Sequence, residues 1–261
     1  MHGRGLTLSL VLIIKSNKLG EIQMTNRTAD TSPLFLARTA GLLYLLMIPL
    51  GIFGILYVPS SLFVPGDAAA TAANIMASES LFRLSIVSAL ILQIIQILLV
   101  LVLYKLLKPV NKVHASFMVV FALAAVPIAM LNKFNQFAAL LLLSGADYLT
   151  AFGTDQLHAQ VMLFLDLHEH GIFIAQLFWG LWLFPMGYLV YKSGFLPRII
   201  GVLLMIGCFG YLIDSVVFFL LPNIDATISG FTFWGELLLP LWLLIKGVNV
   251  EEWEKRALES A

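Results

Sequence analysis

The sequence predicts an all-α integral membrane protein, a bundle of six transmembrane helices with its N and C termini cytoplasmic. Three observations predict it. The 261 residues are 60% hydrophobic and only 11% charged, with a mean hydropathy of +0.95, whereas soluble domains carry about 25% charged residues. Six apolar stretches are each long enough to cross a hydrocarbon layer, and none alternates with period two as a barrel strand would. Finally, the hydrophilic pieces between these stretches alternate in charge. Of fifteen Lys and Arg, all but Arg83 and Lys133 fall on the first, third, fifth and seventh pieces. Short basic loops stay in the cytoplasm, which sets the expected topology.

Taken in order, residues 1–32 form a polar leader whose apolar run Leu6 to Ile14 is too short to span. No small-residue cleavage site follows that run, and Met24 is the alternative start of the chain. The transmembrane domain is expected over residues 33–248. Its first span is Arg38 to Val58. Ala68 to Ser80 reads as a short amphipathic helix capped by Asp67. The second span is Leu81 to Leu107, closed by Tyr104 and Lys105 as interface anchors. The third begins near His114, and its apolar character breaks at Asn132 to Gln136 before resuming over Phe137 to Leu143. The fourth, His170 to Lys192, is extended at its start by a helix from Gln156. The fifth covers Leu196 to Leu221 and the sixth Phe231 to Gly247. Residues 249–261 form a charged cytoplasmic tail. Pro49, Pro127, Pro185 and Pro240 lie inside spans and each deletes one helical hydrogen bond.

Composition also excludes function classes. Net charge is zero and the basic residues sit in short loop clusters, so no nucleic-acid partner is expected. The single cysteine, Cys208, lies in an apolar span and supports neither a disulfide nor a thiolate metal site. No G-x-S-x-G elbow offers a nucleophile.

Ionisable groups inside a bilayer cost several kcal/mol unless paired or hydrated, which marks them as functional candidates. Asp214 and Glu236 qualify, both expected in the outer half of their spans. Ser85, Ala89, Gln93 and Gln96 make a small-and-amide stripe on the second span; Glu169, Gln176, Gly180 and Gly187 make one on the fourth. Such stripes pack helices closely or face a hydrated cavity. In the cavity case Arg83, Gln93, Gln96, Gln176, Asp214 and Glu236 line it. Arg83 is then expected to fork onto Asp166 or Asp214 at the mouth. The run Asp166-Leu167-His168-Glu169-His170 opens a different possibility. Asp166, His168, His170 and Asp214 would hold a divalent metal such as zinc, with Glu169 or Glu236 as the base for metal-bound water. The spacing is unfavourable, because paired zinc histidines on a helix want an interval of four, not two.

Several blocks in order carry a family resemblance: Ala37-Arg38-Thr39-Ala40-Gly41-Leu42-Leu43-Tyr44, Thr71-Ala72-Ala73-Asn74-Ile75 with Glu79 and Arg83, and Leu106-Leu107-Lys108-Pro109-Val110-Asn111. So do Asp166-Leu167-His168, the run from Gly187 through Tyr191-Lys192-Ser193-Gly194 to Pro197, and Gly210-Tyr211-Leu212-Ile213-Asp214-Ser215. Together they resemble the prokaryotic integral membrane family labelled domain of unknown function 4386, over roughly Ser32 to Gly247. The resemblance implies six membrane helices and no particular activity. The expectation for function is therefore a cell-membrane protein that binds or moves a small solute or lipid through an outward-facing polar cavity, without a cofactor. The alternative is a metal-dependent hydrolase working at the outer leaflet.

Overall fold

The computed structural model describes residues 32–221, 223–224 and 227–260. The leader's apolar run and the start at Met24 lie outside them. Among the described residues there is no strand. The chain forms α1 (Pro33–Leu62), α2 (Ala68–Ala77), α3 (Glu79–Leu107), α4 (Lys112–Leu142), α5 (Thr154–Ser193), α6 (Arg198–Leu220), α7 (Ser229–Ile245) and α8 (Val250–Glu259). Five of these, α1 and α3 to α6, have the length and apolarity to cross a membrane. The shorter α7 reaches that mark only when taken together with α8, from which it is bent by 103°, so the crossings number five or six.

Local chemistry sets the breaks. Pro49 starves α1 of a hydrogen bond, and the next turn relaxes into a π-helical segment, Ile52–Tyr57. Pro185 interrupts α5 at Trp182, three residues before it. Asp67 caps α2 as expected, its Oδ1 accepting from the Ala70 amide at 2.8 Å. Asn111 caps α4 in the same way, from His114 at 3.0 Å. Gly194 takes φ 78° after α5, where the chain turns back into α6.

The polar run Asn132 to Gln136 interrupts the apolar character of the third span without breaking its helix, because α4 is continuous from Lys112 to Leu142. Asn132, Lys133 and Gln136 fall on one helical face and are buried, while Phe134 points outward at 67% exposure. The polar run is an inward face rather than a loop.

The starts of α1 and α6, the ends of α3 and α5, and α8 gather at one end of the bundle. Trp253 of α8 donates from Nε1 to the Leu106 carbonyl at 2.8 Å, and the Asn249 amide donates to Phe195 at 3.2 Å. This is the basic end, carrying Lys105, Lys108, Lys192, Arg198 and Lys246. Glycines let the helices close on one another. A Cβ at Gly187 would stand 2.6 Å from the Gly201 carbonyl, and one at Gly201 the same distance from Gly187. Gly41 brings α1 against Pro240 of α7 equally tightly, at 2.8 Å. Outward faces are apolar, as lipid requires: Leu84, Leu98, Val120, Ile199, Phe209 and Val216 are all exposed.

The buried apolar side chains divide into two clusters. The larger lies toward the basic end and includes Tyr44, Leu99, Ala122, Trp182, Cys208 and Leu239. The smaller lies toward the opposite end and includes Val58, Ile86, Ala139 and Leu165.

Candidate functional site

Most of the buried polar side chains lie between those two clusters. In α3, Gln93 and Gln96 fall between Ile86 of one and Leu99 of the other. In α4, Asn132, Lys133 and Gln136 fall between Ala122 and Ala139, and in α5, His168 and Gln176 fall between Leu165 and Trp182. Asp214 and Ser215 follow Cys208 in α6, and Glu236 precedes Leu239 in α7. The polar side chains thus form a tilted belt that runs from Glu236 and Tyr44, beside the larger apolar cluster, to Gln136 and His168, near the smaller one.

The belt's two carboxylates differ. Asp214, only 4% exposed, accepts from the Ile228 amide at 2.6 Å through Oδ1 and from the Ser229 amide at 2.9 Å through Oδ2. It closes the start of α7, where the first-turn amides have no helical acceptor and the dipole favours an anion. Glu236 accepts from the Tyr44 hydroxyl at 3.1 Å through Oε2, and Tyr211 lies beside the same carboxyl. Its Oε1 is buried and has no partner among the described residues. Tyr44, Gln96, Tyr211 and Glu236 share one depth, roughly 14–20 Å from the basic ends of their helices at 1.5 Å per residue.

A second group occupies the α4–α5 contact. Lys133 Nζ donates to Gln136 Oε1 at 3.1 Å and lies 3.4 Å from His168 Nε2. His168 Nδ1 lies 3.2 Å from the Asn132 carbonyl, and Asn132 Nδ2 donates to the His168 carbonyl at 2.8 Å. Gly171 leaves the room for the Asn132 side chain, which a Cβ there would strike. Gln93 Oε1, Gln96 Nε2 and Gln136 Nε2 are buried and, like Glu236 Oε1, unpartnered among the described residues.

Each residue singled out in the sequence can now be placed. Gln93, Gln96, Gln176, Asp214 and Glu236 lie in the belt, with Gln176 donating to the Tyr211 carbonyl at 3.3 Å. Arg83 does not join them, nor does it fork onto Asp166 or Asp214. Its Nε meets Glu79 Oε1 at 2.6 Å, four residues earlier on the same helix, with both side chains about half exposed. It lines a cleft of about 310 Å³ at the end away from the basic one, with Glu79, Met76, Leu140 and Ser144. The helix prefers the near carboxylate because an i,i+4 pair needs no side-chain burial.

The metal set is likewise dispersed. Asp166, Glu169 and His170 are exposed on α5, and His170 Nδ1 bonds the Asp166 carbonyl at 2.7 Å. His168 turns inward to Asn132 and Lys133, and Asp214 is engaged by α7. Among the described residues no three His, Cys, Asp or Glu side chains are placed to hold a metal ion.

Two belt members, Tyr44 and Tyr211, carried no role in the sequence. Tyr44 gives no signal there, being one aromatic among many apolar neighbours. Tyr211 is equally silent. Gln136 had a signal, because Asn132, Lys133 and Gln136 are spaced as one face of a continuous helix.

A family model described as a domain of unknown function (DUF4386) matches residues 39–247, a stretch holding every belt residue named above. The chain belongs to that family. An uncharacterized protein of Archaeoglobus fulgidus is 33% identical over 170 residues, which cover 64% of this chain and 86% of the relative. No solved structure matches. The DUF4386 assignment, the all-α architecture and the five or six spanning helices together make this a multi-pass membrane protein.

Proposed function

We propose that this DUF4386 protein sits in the cell membrane with both termini in the cytoplasm, and binds a small polar solute within the belt, passing it across the bilayer. The observation that carries this reading is the set of three unpartnered buried atoms on two helices: Gln93 Oε1, Gln96 Nε2 and Glu236 Oε1. A buried polar group without a partner costs about 1–3 kcal/mol, so three of them within about 8 Å of depth favour a ligand or water that satisfies them. Glu236 supplies the negative charge, Tyr44 holds one of its oxygens, and the amides supply donors and acceptors for orientation. The site therefore lies at mid-depth, not at the Arg83 cleft. Thirteen basic residues on the alternate pieces support the orientation.

Thermal unfolding of the purified protein against alkali cations, ammonium, amino acids, sugars and short carboxylic acids tests the binding. At least one class should raise the midpoint of the parent, as a ligand specific for the folded state must. Glu236→Gln should abolish that shift. A shift that survives Glu236→Gln unchanged, or a parent that responds to none of the panel, contradicts the proposal.

A further inference from the structure

At the basic end, far from the belt, α8 crosses the turn between α5 and α6 and encloses a cavity of about 280 Å³ lined by Tyr191, Lys192, Gly194, Arg198 and Arg256. Three of its five lining residues are cations. Among the described residues neither Lys192 nor Arg198 has a carboxylate within ion-pair distance, while Arg256 lies 3.8 Å from Glu252, which also stands against Gly194, and 3.9 Å from Glu259. At least two positive charges are therefore unbalanced. The cavity is also built rather than accidental. The 103° turn lays α8 across the end of the bundle, Trp253 and Asn249 anchor it to α3 and to the α5–α6 turn, and Arg256 reaches the Lys192 carbonyl at 3.4 Å. The Arg198 guanidinium lies 5.9 Å from the Tyr191 ring centroid, which fixes its plane. The Ile200 amide in the first turn of α6 donates to the Pro197 carbonyl at 3.1 Å, which leaves the Arg198 and Ile199 amides as the open ones.

A second cavity of about 350 Å³ meets the first at Gly194. Its lining changes in character: Leu196, Pro197 and Trp242 make an apolar wall, with Lys246 at its side. A cationic pocket continuous with a partly apolar groove, placed where helices leave the bilayer, matches one kind of molecule. We infer that the Lys192–Arg198–Arg256 pocket holds the phosphate of an anionic lipid, with the start of an acyl chain along Trp242. Arginine grips a phosphate through two parallel N–H bonds, lysine adds a point charge, and the groove gives lipid an advantage over free phosphate. This site is independent of what the belt binds.

Native mass spectrometry of the full-length protein in detergent tests the assignment, with dioleoyl phosphatidylglycerol, dioleoyl phosphatidylcholine and glycerol 3-phosphate as probes. Phosphatidylglycerol should bind far more tightly than phosphatidylcholine. Lys192→Gln with Arg198→Gln should weaken it about 25-fold, roughly fivefold for each charge removed. Lys108→Gln with Lys112→Gln removes two charges at the same end but outside the cavity, and should change binding less than about twofold. Trp242→Ala should weaken the lipid and leave glycerol 3-phosphate unaffected. If the double variant proves unstable, Arg256→Gln on α8, outside the spans, should still weaken phosphatidylglycerol about fivefold. Equal losses in both double variants would overturn the pocket, reducing it to general surface charge. Glycerol 3-phosphate binding as tightly as the lipid would overturn the lipid assignment in favour of a soluble phosphate compound.

Discussion

Asp214 and Glu236 are the two acids of the belt, and they sit on adjacent helices in the same low-dielectric interior, yet their surroundings assign them opposite work. Both oxygens of Asp214 are engaged by backbone amides at 2.6 and 2.9 Å. Glu236 has one oxygen on Tyr44 at 3.1 Å and the other unpartnered among the described residues. An intramembrane carboxylate is thus not a functional residue by virtue of its charge and depth alone. What matters is whether the fold has already satisfied it.

Replacing these side chains should separate the two roles. Asp214→Ala should cause the largest loss, about 2–3 kcal/mol of unfolding stability, since two charge-assisted bonds at the start of α7 disappear. Asp214→Asn should recover part of it, because the amide oxygen still accepts from one of the two donors. Tyr44→Phe should cost about 1 kcal/mol, the ordinary worth of a single hydrogen bond. Glu236→Gln should leave stability within about 1 kcal/mol of the parent or raise it, because the amide can still accept from Tyr44 and a buried charge is gone. Detergent-based chemical unfolding measures all four. A Glu236→Gln loss as large as that of Asp214→Ala would erase the distinction. Arg83→Ala should be the mildest, below about 0.5 kcal/mol, as exposed i,i+4 pairs contribute little.

Much of the architecture was legible in the sequence because it follows from solvation. Runs such as Leu81 to Leu107 can lie in lipid only as helices, and Asp67 announces the helix it caps. The polar break in α4 has a physical basis: in a membrane bundle a polar face can be satisfied by a neighbouring helix, so Asn132, Lys133 and Gln136 fit within one continuous helix. The site was legible only as residue types. Gln93, Gln96, Asp214 and Glu236 stood out as costly in lipid, but whether each is engaged depends on partners far away in sequence. Tyr44 reaches Glu236 across 192 positions, and Asp214 meets amides that follow a loop. Arg83 shows the reverse case, in which a local partner at Glu79 outcompetes any distant one.

The central claim is that the belt is open to polar molecules while the larger apolar core packed beside it is not. In a Cys208→Ala background, Gln96→Cys in the belt and Ala122→Cys in the larger core should be compared for their rates of modification by a small hydrophilic methanethiosulfonate reagent. Position 96 should react many times faster than position 122, which is 0% exposed and surrounded by apolar side chains. Equal, slow rates at the two positions would mean that the belt is packed and closed, and would contradict the account.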